Sequence, residues 1–158
     1  MRRSKPEELD ESAATRVALA LLARREHGRN ELTRKLDARG FPAEVVAAVV
    51  AALESSGALA ETRFTETFVR SRVAKGQGPQ RIRAELAQRG VAEPEVESAL
   101  RDADVDWLAT ARAVRRKRFR GAPPRDFRER ARQARFLEYR GFTGEQVRAA
   151  LEVDGDSD

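Results

Sequence analysis

Arg39-Gly40-Phe41, Arg89-Gly90-Val91 and Arg140-Gly141-Phe142 are three versions of one tripeptide, spaced 50 and 51 residues apart. The residues around them agree too. Three positions before each Arg stands Leu36, Leu86 or Leu137, and seven positions after it stands Val46, Val96 or Val147. Eleven positions after it stands Val50, Leu100 or Leu151. Four coinciding columns identify an internal repeat, and a period of about 50 residues indicates a series of small supersecondary units.

Each copy reads as three helices. The Gly of the landmark suits the position just past a helix end, where a left-handed backbone costs glycine nothing. Upstream, Leu32/Leu36 and Ile82/Leu86 share one helical face at i, i+4. In the third copy Gln133 stands where Leu32 and Ile82 do, although 128–138 keeps a helical composition. Downstream helices are expected to start near Ala43, Glu93 and Thr143. Thr143 with Gln146 has capping-box spacing, and Gly78-Pro79 places Pro at a first helical position. The first helices are expected over about 12–26, 61–74 and 105–119, with Val17/Leu21, Phe64/Phe68 and Trp107/Leu108/Ala111/Val114 on their apolar faces.

No window alternates with period two over strand length. The expected fold is all-α: three tandem three-helix repeats over 12–56, 57–103 and 104–152, about nine helices in an elongated, curved body. Residues 1–11 and 153–158 are expected to be disordered tails, the second acidic.

Composition agrees with many short helices around small cores. Of 158 residues 36% are charged, 41% hydrophobic and 6% aromatic, and mean hydropathy is −0.63. That is too apolar for a disordered chain and too polar for one large core. The longest apolar run, Val45 to Leu53, has nine residues, about half of what a membrane helix needs. Nothing hydrophobic follows Arg2, Arg3 and Lys5, so no secretory signal is expected. The absence of cysteine excludes disulfides, Cys-ligated zinc and thiol chemistry. A cytoplasmic monomer making no membrane contact is expected.

Few residues suit catalysis. His27 is the one histidine and reads as a partly charged cap at the end of the first helix. There is no HExxH, no phosphate-loop Lys-Ser/Thr and no nucleophile elbow. Gly76-Gln77-Gly78-Pro79 reads as a turn between helices, because Pro79 removes a donor that an anion would need. The acidic runs 102–106 and 154–158 read as a linker feeding a helix start and a solvated tail, not as metal sites. No enzyme, metal or cofactor is expected.

Charge is the most informative functional signal. Residues 1–60 carry a net +1, 61–111 a net −1 and 112–158 a net +5. Within 112–140, twelve basic residues face Asp126, Glu129 and Glu138. Arg112, Arg115, Arg116, Lys117, Arg118 and Arg120 fall on one helix and Arg128, Arg132 and Arg135 on the next, partly at one-turn spacing. Such a field suits an acidic protein surface or a polyanion; a solvated face in an arginine-rich chain would look similar. Phe119, Phe127, Phe136 and Tyr139 are spaced as core residues, with Tyr139 the best candidate for exposure and base stacking. Sequence-specific DNA reading is disfavoured, because the third helices (43–53 and 93–100) are apolar or acidic.

Several motifs resemble one family. The segments 21–27, 31–36 and Arg39-Gly40-Phe41, then Gly57-Ala58-Leu59, Arg63-Phe64 and 68–72, resemble RecX, the bacterial recombination regulator. So do Lys75-Gly76-Gln77-Gly78-Pro79-Gln80-Arg81-Ile82, the segment 85–91, Lys117-Arg118-Phe119 and 135–142. The resemblance runs from about residue 15 to 151. Gln77, Gly28 and Ala60-Glu61 depart from it, where the family usually has a bulky residue, a Ser cap and an acidic pair.

The resemblance implies a non-enzymatic regulator that binds the RecA–single-stranded DNA filament. It implies inhibition of the filament's ATPase, strand-exchange and coprotease activities and of its extension. The basic third repeat would then meet acidic filament surface, or make weak contact with single- or double-stranded DNA. The competing reading is a helical repeat protein that binds nucleic acid directly and without sequence preference.

Overall fold

Local signals place the helix starts. The side chains of Asp10, Asp106, Asp126 and Thr143 accept from the backbone amides of Ala13, Ala109, Glu129 and Gln146. Each satisfies a donor that a helix start leaves orphaned. The Gln146 side-chain oxygen Oε1 in turn accepts from the Thr143 backbone N–H at 2.9 Å, closing the expected capping box. A computed structural model describes residues 8–121 and 123–152. The expected tails lie outside them, apart from residues 8–11.

Among the described residues there are nine α-helices and no strand: α1 (Glu11–Arg24), α2 (Arg29–Ala38), α3 (Ala43–Ser55), α4 (Glu61–Ala74), α5 (Pro79–Gln88), α6 (Glu93–Ala103), α7 (Trp107–Phe119), α8 (Phe127–Tyr139) and α9 (Gly144–Leu151). They form three tandem three-helix domains, α1–α3, α4–α6 and α7–α9. α7 starts two residues later than expected, because Asp106 rather than Val105 marks its entry.

The chain divides into two compact units. The first holds the residues up to Thr67 together with Arg89–Val91. Its core joins Ala14 and Ala18 of α1, Leu32 and Leu36 of α2, and Val46 and Leu53 of α3. α1 presents only alanines as fully buried contacts, so small side chains let α2 and α3 approach it. The residue before α2 is Gly28, which offers no side-chain cap. Glu61 supplies one from α4, accepting from the Arg29 amide at 2.9 Å. A Cβ at Gly28 would stand 3.1 Å from the Phe64 ring, which explains a residue without a side chain there.

The second unit holds 68–88 and the residues from Ala92 onward. α5 packs on α6, and α7, α8 and α9 pack on one another. The last core gathers Ala111, Leu137, Phe142, Val147, Ala150 and Leu151, with Trp107, Leu108 and Phe136 against it.

The landmark turn does more than end a helix. In the second unit the Gly78 amide donates to Arg140 O at 2.8 Å and the Gln80 amide to Gly141 O at 2.9 Å. In the first unit Asn30 Nδ2 donates to Gly90 O at 3.3 Å. Thus the Arg-Gly turn of one repeat sits on the start of the second helix of the repeat before it. A Cβ at Gly90 would overlap Asn30, and one at Gly141 would overlap Arg81. The landmark arginines belong to the same contacts: Arg89 Nη1 is 2.9 Å from Glu31 Oε2, and Arg140 Nη1 donates to Lys75 O at 3.3 Å.

The third repeat departs from this pattern. α8 has 13 residues where α2 and α5 have 10. By the 51-residue offset, Glu129 and Ala131 are the counterparts of Gly78 and Gln80. Both lie inside α8, the Glu129 amide being taken by Asp126.

His27 is not a partly charged cap. α1 ends at Arg24, and His27 lies beyond it with 1% of its surface exposed. Its Nδ1 is 3.0 Å from Arg25 O and its Nε2 is 2.8 Å from Lys35 Nζ. A carbonyl only accepts and an ammonium only donates, so the ring is neutral with its proton on Nδ1. Burial, with the charges of Lys35 and Arg25, holds its pKa below the ordinary value.

Candidate interaction surface

The basic residues of 112–140 stand on α7 and α8, whose entries are fixed by acids and whose charges follow the helix dipole. Asp106 and Asp126 cap the two N-termini, while Arg116, Lys117 and Arg118 occupy the last turn of α7. That ordering is favourable at both ends of α7.

The nine candidates do not share one face. Arg112, Arg115 and Arg116 line a hollow of about 270 Å³ against the end of α9, at Ala150, Leu151 and Glu152. Lys117 and Arg118 border a groove of about 710 Å³ with Lys75, Gly76, Phe136 and Arg140. Arg118 also reaches a hollow of about 470 Å³ shared with Arg120, Arg125, Arg128 and Arg132. Arg135 lies exposed on α8.

Their environments differ as much as their positions. Arg115 is half-buried, and its Nε donates to Gln133 Oε1 at 2.7 Å. Burial lowers its pKa from the ordinary arginine value, yet the group stays charged. Gln133, 1% exposed, also donates to Glu129 Oε1 at 3.3 Å. Arg115 therefore serves the interior of the third repeat. Arg120 closes α7 in the left-handed region at φ 57°, a strained conformation for a residue with a side chain.

Arg118, Arg132 and Arg140 are ordered by a pair of rings. Phe119 and Phe136 meet edge to face, with centroids 5.4 Å apart. The Arg118 guanidinium carbon lies 5.3 Å from one ring centroid and 5.7 Å from the other. Arg132 sits 5.5 Å from Phe119 and Arg140 sits 5.3 Å from Phe136. Each such contact is worth about 0.5–1 kcal/mol where exposed, enough to hold the cations in place without burying them.

α8 carries a line that the sequence only half revealed. Arg128, Arg132, Arg135 and Tyr139 follow at i, i+4, i+7 and i+11, and all four are exposed. Tyr139 is 75% exposed, as expected for the best stacking candidate, but Phe127 is 86% exposed. The core position expected for Phe127 is therefore a correction. It is the first residue of the longer α8, well off the face that buries Gln133 and Leu137. Arg140 and Lys75, singled out only as a landmark and a motif residue, border the groove of about 710 Å³; the one signal that could have paired them was the repeat register.

Among the described residues no group of His, Asp and Glu could hold a metal ion, and no helix is long and apolar enough to cross a membrane.

Comparison with known proteins covers nearly the whole chain. Models of the first, second and third three-helix domains of RecX match residues 14–53, 61–100 and 104–151. The regulatory protein RecX of Halorhodospira halophila is 56% identical over 142 residues, 90% of this chain and 88% of the relative. That of Ectopseudomonas mendocina is 48% identical over 135 residues, 85% of this chain and 90% of the relative. A crystal structure of RecX from Lactobacillus salivarius superposes with a TM-score of 0.76 at 18% identity, covering 90% of this chain and 94% of that one. A second crystal structure, of regulatory protein RecX, gives a TM-score of 0.75 at 22% identity, covering 87% of this chain and 70% of that one. At such identities the two structures speak for the fold.

Proposed function

This chain belongs to the RecX family, and from that membership we propose that it regulates homologous recombination and DNA repair by binding the RecA–single-stranded DNA filament. In this reading it is a non-enzymatic, cytoplasmic protein. It restrains the filament's ATPase, strand-exchange and coprotease activities and its extension. The observation that carries the reading is the match of all three three-helix domains in order, together with 56% identity to a protein named regulatory protein RecX. The basic surfaces of α7 and α8 supply a field suited to an acidic protein face or to DNA phosphates.

The test is the ATPase of RecA on single-stranded DNA, titrated with this protein at fixed salt. Inhibition at well below one molecule per recombinase subunit is expected. A flat titration overturns the proposal. Charge reversal at Arg116, Lys117 and Arg118, all exposed, is expected to weaken inhibition while the helical signal stays unchanged. Arg115 is left out of that set because it holds Gln133.

The second reading, direct non-specific nucleic-acid binding without a recombinase, is favoured by one observation. The exposed arginines of α8 outnumber its acids. Binding to bare DNA that falls steeply between about 50 and 200 mM salt, with no effect on the recombinase, would establish it instead.

A further inference from the structure

We propose that the exposed face of α8 is a track for a short segment of single-stranded nucleic acid, with Arg128, Arg132 and Arg135 on its phosphates and with Tyr139 and Phe127 stacking its bases at the two ends. This deepens the regulator reading by naming a ligand for part of the basic surface, and it does not require that reading to hold.

Three observations converge. First, the three arginines and Tyr139 form one exposed line at i, i+4, i+7 and i+11. At the helix rise this line is about 16 Å long, a length that spans several phosphates.

Second, the acids of α8 offset it weakly. Asp126 is occupied in capping, and Glu129 accepts from Gln133 and stands 3.5 Å from Arg132. Only Glu138 is an exposed acid on this helix. Arg132 is steadied against Phe119 at 5.5 Å, which lowers the entropy lost on contact.

Third, the two most exposed aromatics of the described residues, Phe127 and Tyr139, stand at opposite ends of the same helix. An isolated exposed ring needs no explanation. Along the helix axis they bracket the cationic line, Tyr139 on it and Phe127 about 100° around the helix from Arg128. Charges that follow the backbone with rings that take the bases are the composition of a single-strand groove.

The arrangement also argues against the other polyanions. A duplex keeps its base faces stacked and out of reach of these rings. A protein interface usually concentrates its aromatic anchors at the centre and its charges at the rim, whereas here the charges are central and the rings terminal. Arg81, which pairs with Glu85 at 3.2 Å, lies over the Tyr139 ring at 5.6 Å from its centroid and so leaves the opposite ring face for a base.

The experiment is anisotropy of a labelled oligothymidylate, and of an abasic chain of equal length, with the full protein and no recombinase. Phe127→Ala with Tyr139→Ala should weaken oligothymidylate binding about tenfold or more and leave the abasic chain nearly unaffected. Tyr139→Phe should restore most of the loss, and a Trp placed by Phe127→Trp should be quenched on binding. Arg128→Gln, Arg132→Gln and Arg135→Gln together should flatten the salt dependence by about 2 units of slope. All five positions are exposed, so circular dichroism should show intact helices.

Equal losses on both chains overturn the stacking claim, and an unchanged salt slope overturns the phosphate claim. If wild-type protein does not bind the oligonucleotide yet the arginine variant loses RecA inhibition, the face is a protein contact and this proposal fails while the regulator reading stands. Binding as described with no effect on RecA gives the reverse.

Discussion

The guanidinium of Arg115 on α7 donates from Nε to the side-chain oxygen of Gln133 on α8 at 2.7 Å, beneath a surface that leaves Gln133 only 1% exposed. A polar pair thus stands in the third repeat where the first two bury Leu32 and Ile82, both fully buried. Such a pair holds its two helices in one register, and breaking half of it is costly because the remaining group stays buried without its partner.

Arg115→Ala should therefore lower unfolding stability by about 1–3 kcal/mol, while Arg116→Ala, one residue away and exposed, should change it by less than about 0.5 kcal/mol. Arg115→Met combined with Gln133→Leu should recover most of the loss. Urea denaturation of the four proteins checks it; equal effects of the two alanines would refute the assignment.

Gly78→Ala should be far more damaging than Gly57→Ala. At Gly78 an added Cβ would overlap the backbone of Gly141, whereas at Gly57, with φ +79°, it would meet nothing within 4 Å. The second substitution incurs only left-handed strain of about 1 kcal/mol. The first carries no such strain but must push the third repeat's turn off α5, and a loss above about 2 kcal/mol is expected. Thermal unfolding of the pair measures the difference.

The three landmark arginines should not be equivalent. Arg89 meets Glu31 of the preceding repeat at 2.9 Å and Arg140 meets Lys75 O at 3.3 Å, while Arg39, in the domain matched to the first of the three, is exposed. Arg89→Ala and Arg140→Ala should each cost about 1 kcal/mol, and Arg39→Ala less than about 0.5 kcal/mol. Chemical denaturation decides, and a large effect at Arg39 would contradict it.

Stability should fall as pH drops below 6.5, the ordinary histidine value from which the His27 pKa is lowered. In that window the unfolded chain takes up a proton that the folded one refuses, so this contribution is present above the unfolded pKa and lost as pH falls. Unfolding midpoints should decline from about pH 7 to about pH 5 in the native protein and decline less in His27→Gln. Glu31 belongs to a lower window. Burial pushes it up, but its bonds to Arg25 outweigh that and hold it below 4.5.

The fold was legible because its signals are local or periodic. Leu36, Leu86 and Leu137, the nearest column to the landmark, are all fully buried. The expected start at Glu93 matches α6, and Thr143 caps α9 as its spacing requires. What could not be read depends on partners distant in sequence. Gly28 and Glu61 are two separate departures from the family pattern until α4 delivers the Glu61 carboxylate to the Arg29 amide.

The surface was legible in charge and not in geometry. Periodicity puts Arg112, Arg115 and Arg116 within about one helical turn, but which arginine turns inward depends on Gln133, eighteen residues from Arg115. Phe127 looked like core because hydrophobicity alone does not show that α8 begins early.

The longer α8 also has a bearing on how such proteins could lengthen. Each earlier second helix offers its successor a seat: a side-chain amide at Asn30, backbone amides at Gly78 and Gln80. In α8 the amide equivalent to Gly78 is already consumed by Asp126, and Ala131 replaces Gln80 within a continuous helix. A further repeat placed after α9 would find neither of those donors in α8, so its Arg-Gly turn would need a seat different from the one its predecessors use.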